Sequence, residues 1–180
     1  MLKNNILTVG IILMGTVPAI ANEAAFSTGP VFEDMGRVAD VQSDMTIPKD
    51  ASFAIDFDVT KPAPVGEVNR SFDTAARFIN MHVAEGVELQ KIKIALVVHG
   101  KATLDLTNDR VYGEAYEGEL NANRSAIKAL TDKGVRIIVC GQSAVHYGVS
   151  NSDLLPDVEM ALSAMTAHAL LQQQGYTLNP

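Results

Sequence analysis

The sequence predicts an α/β fold, a three-layer sandwich with a mostly parallel sheet and helices on both faces. Residues 92–98 (IKIALVV) and 135–140 (VRIIVC) are nearly continuous apolar runs, which are typical of strands covered on both faces. Segments with helical periodicity separate these runs. Strands that alternate with helices favour right-handed crossovers, and therefore a parallel sheet.

The first strand and the first helix of the domain follow from residue spacing. Residues 52–59 alternate in polarity, with Phe53, Ile55 and Phe57 on one side, which predicts a strand. Residues 70–85 place apolar side chains three and four positions apart, which predicts a helix. The glycine that follows is suited to end that helix.

The second half of the domain is predicted from helix caps and periodicity. Its elements are a helix capped by Asn121 and running to residue 133, a strand at 135–140, a short helix at 141–149, a strand at 158–162, and a helix at 164–174 capped by Ser163. Residues 101–120 are expected to be irregular, and residues 176–180 are expected to form a tail.

The amino terminus has the pattern of a cleaved secretory signal. Lys3 supplies a positive charge, residues 6–17 form an apolar run, and Ala19 and Ala21 complete an A-x-A cleavage site. We therefore predict a signal peptide at residues 1–21 and a periplasmic mature protein. The alternative interpretation is an amino-terminal anchor that is not cleaved.

The mature chain is predicted to consist of an arm and one domain. Residues 22–50 have no sustained period and are expected to be a loosely structured arm over the domain, which spans residues 51–180. Loss of the signal removes one lysine and no acid, so the net charge changes from −7 to −8. Binding to nucleic acid or anionic lipid requires clustered Lys and Arg, so neither partner is expected. No later apolar run reaches the length of about 20 residues that spans a membrane.

Cys140 is the only cysteine, so it cannot form a disulfide within the chain. It ends a buried strand, and His99 follows the preceding one. Ligands of parallel sheets bind beyond the carboxyl ends of strands, so both side chains are candidates for one site. A thiol near a helix amino terminus is favoured as thiolate, the nucleophilic form. The alternative is that Cys140 is a buried, inert core residue, which is common for free cysteine.

The remaining residue patterns argue against a metal site, a serine nucleophile and a nucleotide site. The histidines lack metal-site spacing, so no metal is predicted, and His168 is expected to be a core or interface residue. His146 lies six positions after Cys140 and is a weaker candidate to line the site. Ser143 stands in GQSAV rather than in a G-x-S-x-G elbow, which argues against a serine nucleophile. No glycine-rich phosphate loop is present, so no nucleotide is predicted.

The segments VVHGKATLDL, NANRSAIKALTDKGVRIIVCGQSAVHYGV and SDLLPDVEMALSAMTAHALLQQQGYTLNP resemble the DsrE/DsrF-like family of sulfur-relay proteins, in its exported branch. The resemblance covers approximately residues 52–180. It implies a parallel α/β sandwich that assembles as a homotrimer or homohexamer. It also implies sulfur carried as a cysteine persulfide and passed between partner proteins, without an organic cofactor or a structural metal.

The resemblance assigns roles to residues at the two strand ends. Cys140 becomes the candidate sulfur acceptor, and His99 becomes a candidate to tune the thiolate or transfer a proton. The candidate binding residues around them are Gly100, Gly141, Gln142, Ser143 and His146. The partner implied is a sulfur donor or acceptor protein. The alternative function is a binding module, oligomeric and without catalysis, in which Cys140 is inert; whether the protein is an enzyme stays open.

Overall fold

The computed structural model describes residues 25–179, so the predicted signal peptide lies outside the described residues. The strands are β1 (Phe26–Ser27), β2 (Val38–Ala39), β3 (Phe53–Val59), β4 (Ile92–Val98), β5 (Arg136–Cys140), β6 (Val158–Ala161) and β7 (Thr177–Asn179). The α-helices are α1 (Arg70–Ala84), α2 (Asp109–Ala115), α3 (Arg124–Asp132), α4 (Gly141–His146) and α5 (Ala164–Gln173). Short 3-10 helices lie at Leu89–Lys91, Gly100–Leu106 and Asn151–Asp153.

The main sheet has five strands in the order β6-β5-β4-β3-β7, and every neighbouring pair is parallel. Val98 of β4 pairs with Val59 of β3 on one side and with Val139 of β5 on the other. The predicted fold class, an α/β sandwich on a parallel sheet, is confirmed. Strands β1 and β2 form a separate antiparallel pair.

Helices cover the two faces of the sheet unequally. On one face α1 and α3 pack over the larger apolar cluster, which includes Phe57, Leu96 and Ile137. On the other face α5 packs over a smaller cluster that includes Val97 and Ile138. None of the helices within residues 25–179 is long and apolar enough to cross a membrane.

The stretch at 101–120 is more ordered than the sequence predicted. It contains a 3-10 helix and α2, which begins where the side chain of Asn108 accepts a hydrogen bond from the Val111 N–H at 3.1 Å. Asn121 does not cap α3. Its buried side chain instead donates to the carbonyls of Asp105 and Thr107, and α3 begins three residues later than Asn121.

The tail at 176–180 also contains a strand that the sequence analysis missed. Residues 177–179 form β7, which pairs in parallel with β3 and so places β3 inside the sheet. The strand is three exposed residues long, too short for alternation to reveal it.

A buried asparagine makes most of the hydrogen bonds between the arm and α1, and Asp73 and Arg77 add one each, to Gly36 and Arg37. Asn80 accepts hydrogen bonds from the N–H groups of Val31 and Phe32 at 3.1 and 3.0 Å. Its amide nitrogen donates to the carbonyls of Phe32, Met35 and Gly36 at 3.0 to 3.2 Å. The Asn80 side chain thus supplies hydrogen-bond partners for five backbone groups in this turn of the arm.

We expect Asn80→Ala to destabilise the protein by about 2 to 3 kcal/mol, because buried backbone groups of the arm lose their partners. Met81→Ala is the matched control, since Met81 is the next residue of α1 and its side chain is exposed. Denaturant unfolding measures stability, and limited proteolysis measures release of the arm. Equal protease resistance of the arm in both variants would contradict this role of Asn80.

Candidate functional site

Cys140 is the last residue of β5, and its side chain belongs to the cluster on the α5 face of the sheet. Only 6% of the residue is exposed. The chain passes directly into α4 at Gly141. A Cβ atom on Gly141 would lie 2.7 Å from the carbonyl oxygen of Ala161, at the end of β6. Glycine therefore allows α4 to begin against the neighbouring strand and fixes the turn that holds the thiol.

Two opposing effects act on the thiol of Cys140. Burial raises its pKa, because the charged thiolate loses water. The backbone N–H and hydroxyl of Ser143, and the N–H groups of Ala164 and Gln142, act in the opposite direction and leave the pKa below its ordinary value. Donors at the start of α4 and α5 therefore favour the thiolate, because hydrogen bonding to the charged form stabilises it.

Ser143 joins the ends of two strands. Its hydroxyl oxygen accepts a hydrogen bond from the Gly100 N–H at 3.0 Å, in the loop that follows β4. The hydroxyl hydrogen then remains available to the sulfur of Cys140. Gly100 has a φ of +59°, a left-handed conformation that favours glycine. Of the predicted binding residues, Ser143 and the N–H of Gln142 act on the thiol, and Gly100 is hydrogen-bonded to Ser143.

His99 lies at the same edge of the sheet as Cys140. The pairing of Val98 with Val139 makes His99 and Cys140 the next residues in register, and alternation along the strands puts their side chains on one face. The hydrogen bond of His99 goes to a residue absent from the sequence prediction. Its Nε2 lies 2.7 Å from Oδ1 of Asp58 on β3.

The structure adds three residues to this edge that the sequence analysis did not identify. Asp56 and Asp58 face the α5 layer, and His168 of α5 lies between them. Its Nδ1 is 2.6 Å from Oδ2 of Asp56, and its Nε2 is 3.1 Å from Oδ1 of Asp58. The signal was present in the sequence as two acids at alternate positions of β3, opposite the apolar face that predicted the strand.

Two predicted binding residues have exposed side chains. Gln142 has an exposed side chain whose amide donates to the Leu162 carbonyl at 3.2 Å. His146 is exposed at the end of α4, where its ring packs edge-on against Tyr147 with the ring centroids 4.8 Å apart. The structure thus does not bring His146 to the sulfur.

A cavity of about 510 Å³ lies at the carboxyl end of β3, beside the array formed by Asp56, His168, Asp58 and His99. Asp58, Lys61, Arg70 and Asn179 are among the residues that line it. Within residues 25–179, no three His, Cys, Asp or Glu side chains converge as a metal site. The chemical groups at this edge are therefore a thiol, two imidazoles and two carboxyl groups.

The fold and the site define a parallel α/β sandwich with one thiol at the carboxyl edge of its sheet. A family model, the DsrE/DsrF-like family, matches residues 65–180, which is more than half of the chain. The chain therefore belongs to the DsrE/DsrF-like family, and its fold is related to that of sulfur-relay proteins.

Two solved structures are similar to this chain. One is a protein of unknown function, MTH1491 from Methanobacterium thermoautotrophicum, with 19% identity and a TM-score of 0.49; the match covers 71% of this chain and 98% of that chain. The other is the YchN protein from E. coli, with 17% identity and a TM-score of 0.49; the match covers 70% of this chain and 96% of that chain. None of the curated proteins matches the sequence.

We expect Ser143→Ala to slow alkylation of Cys140 near pH 7 by about fivefold, equivalent to roughly 1 kcal/mol for a lost hydrogen bond. The reason is that the hydroxyl lowers the pKa of the thiol, so its removal raises that pKa and reduces the thiolate fraction. The rate of reaction with iodoacetamide across a pH series measures this shift. Ser71→Ala, a half-buried serine on α1, is the control, and equal rates in the two variants would exclude the role of Ser143.

Proposed function

We propose that this protein is a sulfur carrier, in which Cys140 accepts sulfane sulfur as a persulfide and passes it to a partner protein. The observation that carries the proposal is the set of donors around the buried Cys140 thiol: Ser143 and the N–H groups of Ala164 and Gln142 hold its pKa below the ordinary value. Perturbed thiols of this kind are typical of functional cysteines rather than of structural ones. Membership of the DsrE/DsrF-like family supports the same chemistry.

Sulfur uptake balances without an added oxidant. The Cys140 thiolate attacks the outer sulfur of a donor persulfide, R–S–SH, and a new S–S bond forms. The S–S bond of the donor breaks, and its inner sulfur leaves with the electron pair as R–S⁻. A proton then converts R–S⁻ to R–SH, and His99 is the candidate to supply it at this edge. The product on the protein is Cys140–S–SH.

Sulfur release uses the same groups in the opposite direction. A thiolate of the acceptor protein attacks the outer sulfur of Cys140–S–SH, and Cys140 leaves as a thiolate. The N–H dipoles of Ser143 and Ala164 that lower the pKa of the thiol stabilise this leaving group. A low leaving-group pKa speeds exchange, so one environment serves both half-reactions.

We also propose that the protein works in the periplasm and as a homotrimer or homohexamer. Three exposed apolar side chains support an interface near the thiol: Val145 of α4 is 80% exposed, Leu162 is 73% exposed and Met165 of α5 is 79% exposed. They lie on the segments that hold Cys140, so we call them the apolar rim. Exposed apolar side chains on adjoining segments are a feature of protein interfaces. Another copy, or the sulfur-exchanging partner, would cover the rim.

Intact mass spectrometry tests the carrier function directly. We expect a gain of about 32 Da, one sulfur atom, after treatment of the mature protein with a polysulfide donor, and reversal by reductant. Cys140→Ser should gain nothing. Native spectra of the same samples count the copies in the assembly, with three or six expected. A wild-type protein that gains no sulfur would refute the carrier function, and a monomer would refute the assembly.

A second candidate function is a binding module with an inert cysteine, and the observation that favours it is the 6% exposure of Cys140. The two functions differ in reaction with a neutral aromatic disulfide reagent. A carrier should react in the folded state within minutes and faster than a free thiol of ordinary pKa at the same mildly acidic pH. A binding module should react only after unfolding. That result would contradict the carrier function and support the binding module.

A further inference from the structure

Two carboxyl groups of β3 point away from the main core. Phe57 and Val59 belong to the cluster under α1 and α3, so alternation directs Asp56 and Asp58 to the α5 face. Asp56 has no solvent exposure, and its Oδ1 has no hydrogen-bond partner within residues 25–179. Burial of an isolated carboxylate is costly, so Asp56 requires either a proton or a cationic partner.

His168 supplies the contact to both acids. The ring lies in α5, its side chain is 15% exposed, and each of its nitrogens faces one carboxyl oxygen. Oδ1 of Asp58 is shared, because it also lies 2.7 Å from Nε2 of His99. The result is a continuous chain of contacts, from Asp56 through His168 and Asp58 to His99.

The contact distances constrain where the hydrogens of this chain lie. Where Oδ1 of Asp58 accepts from both imidazoles, Nε2 of each histidine carries the hydrogen. Nδ1 of His168 and Oδ2 of Asp56, 2.6 Å apart, would then present two lone pairs to each other unless one proton lies between them. Burial, the largest effect, raises the pKa of Asp56, and His168 opposes it. The buried pair therefore retains a proton.

We propose that His168 is a positioning residue of the thiol site, which holds Asp58 against His99 and shares one proton with Asp56. Asp58 thereby keeps the Nε2–H of His99 directed towards β3. Nδ1 of His99, which makes no hydrogen bond within residues 25–179, becomes the nitrogen that exchanges a proton during sulfur transfer. This inference rests on the proposed sulfur-carrier function.

The arrangement follows the logic of catalytic triads, in which a carboxylate sets the tautomer of an imidazole beside a nucleophile. Here a second imidazole restrains that carboxylate. Lys61 and Arg70 line the nearby cavity, but neither forms an ion pair with Asp56 or Asp58 within residues 25–179. The imidazoles are therefore the groups that balance these two acids.

A matched pair of substitutions separates the two contacts of His168. The amide nitrogen of glutamine lies one bond farther along the side chain than that of asparagine and mimics Nε2, whereas asparagine mimics Nδ1. His168→Gln therefore retains a donor towards Asp58, and His168→Asn retains only the group towards Asp56. Asp58→Asn is a further variant, which removes the charge without removing the side chain, and thermal unfolding verifies that each variant is folded.

Two measurements are made on each variant of the full mature chain. Long-range proton–nitrogen spectra of the imidazoles at pH 8.5 report the tautomer of His99, and mass spectrometry reports the rate of sulfur uptake from polysulfide. We expect the Nε2–H tautomer in wild type and in His168→Gln, and a mixture of tautomers in His168→Asn and Asp58→Asn. The rate of sulfur uptake should fall about tenfold in His168→Asn and less in His168→Gln. A loss of that size is typical when a residue that orients a functional histidine is removed.

The outcomes distinguish this inference from the function on which it rests. If wild type takes up sulfur, and His168→Asn retains both its rate and the tautomer of His99, the positioning role is wrong and the carrier function stands. If wild type takes up no sulfur, the carrier function is wrong, whereas a changed tautomer in His168→Asn still supports control of His99 by His168. Identical spectra in the Asn and Gln variants would overturn the inference.

Discussion

The parallel register of β3, β4 and β5 sets the position of the candidate groups in this protein. Val59, Val98 and Val139 lie in one row across the sheet; β3 and β4 end at that row, and β5 ends one residue beyond it. The residues that follow β4 and end β5, His99 and Cys140, therefore share an edge. A slip of one residue in either strand would turn its side chain to the opposite face, into the core beneath α1 and α3.

On the α5 face of the sheet, the charges of two buried groups, Cys140 and Asp56, are controlled in different ways. At Cys140, uncharged N–H and hydroxyl dipoles favour the thiolate, and no lysine or arginine ion pair is needed. At Asp56, burial favours the neutral acid, and His168 shares its proton. Because α5 supplies both the Ala164 N–H and the His168 ring, a shift of this helix would alter the thiol and the acid pair together.

Much of this arrangement could be predicted from local sequence, and the remainder depends on contacts between distant segments. Apolar runs located β4 and β5, so the positions of His99 and Cys140 at strand ends followed. The array was missed because Asp56 and His168 are 112 residues apart, and no local pattern joins them. Strand β7 was missed for a related reason, since pairing with β3, rather than its own three residues, makes it a strand.

Burial and sulfur transfer are compatible at Cys140 because a persulfide has two sulfur atoms. The inner sulfur can stay among the N–H dipoles of the α4 and α5 termini, where the leaving thiolate is stabilised. The outer sulfur extends about 2 Å farther from the backbone, the length of one S–S bond. Because Cys140 is only 6% exposed, this outer sulfur, rather than the inner one, is the atom that a partner would have to reach under the proposed carrier function. The proposed function is therefore compatible with a buried inner sulfur, because only the outer sulfur is transferred.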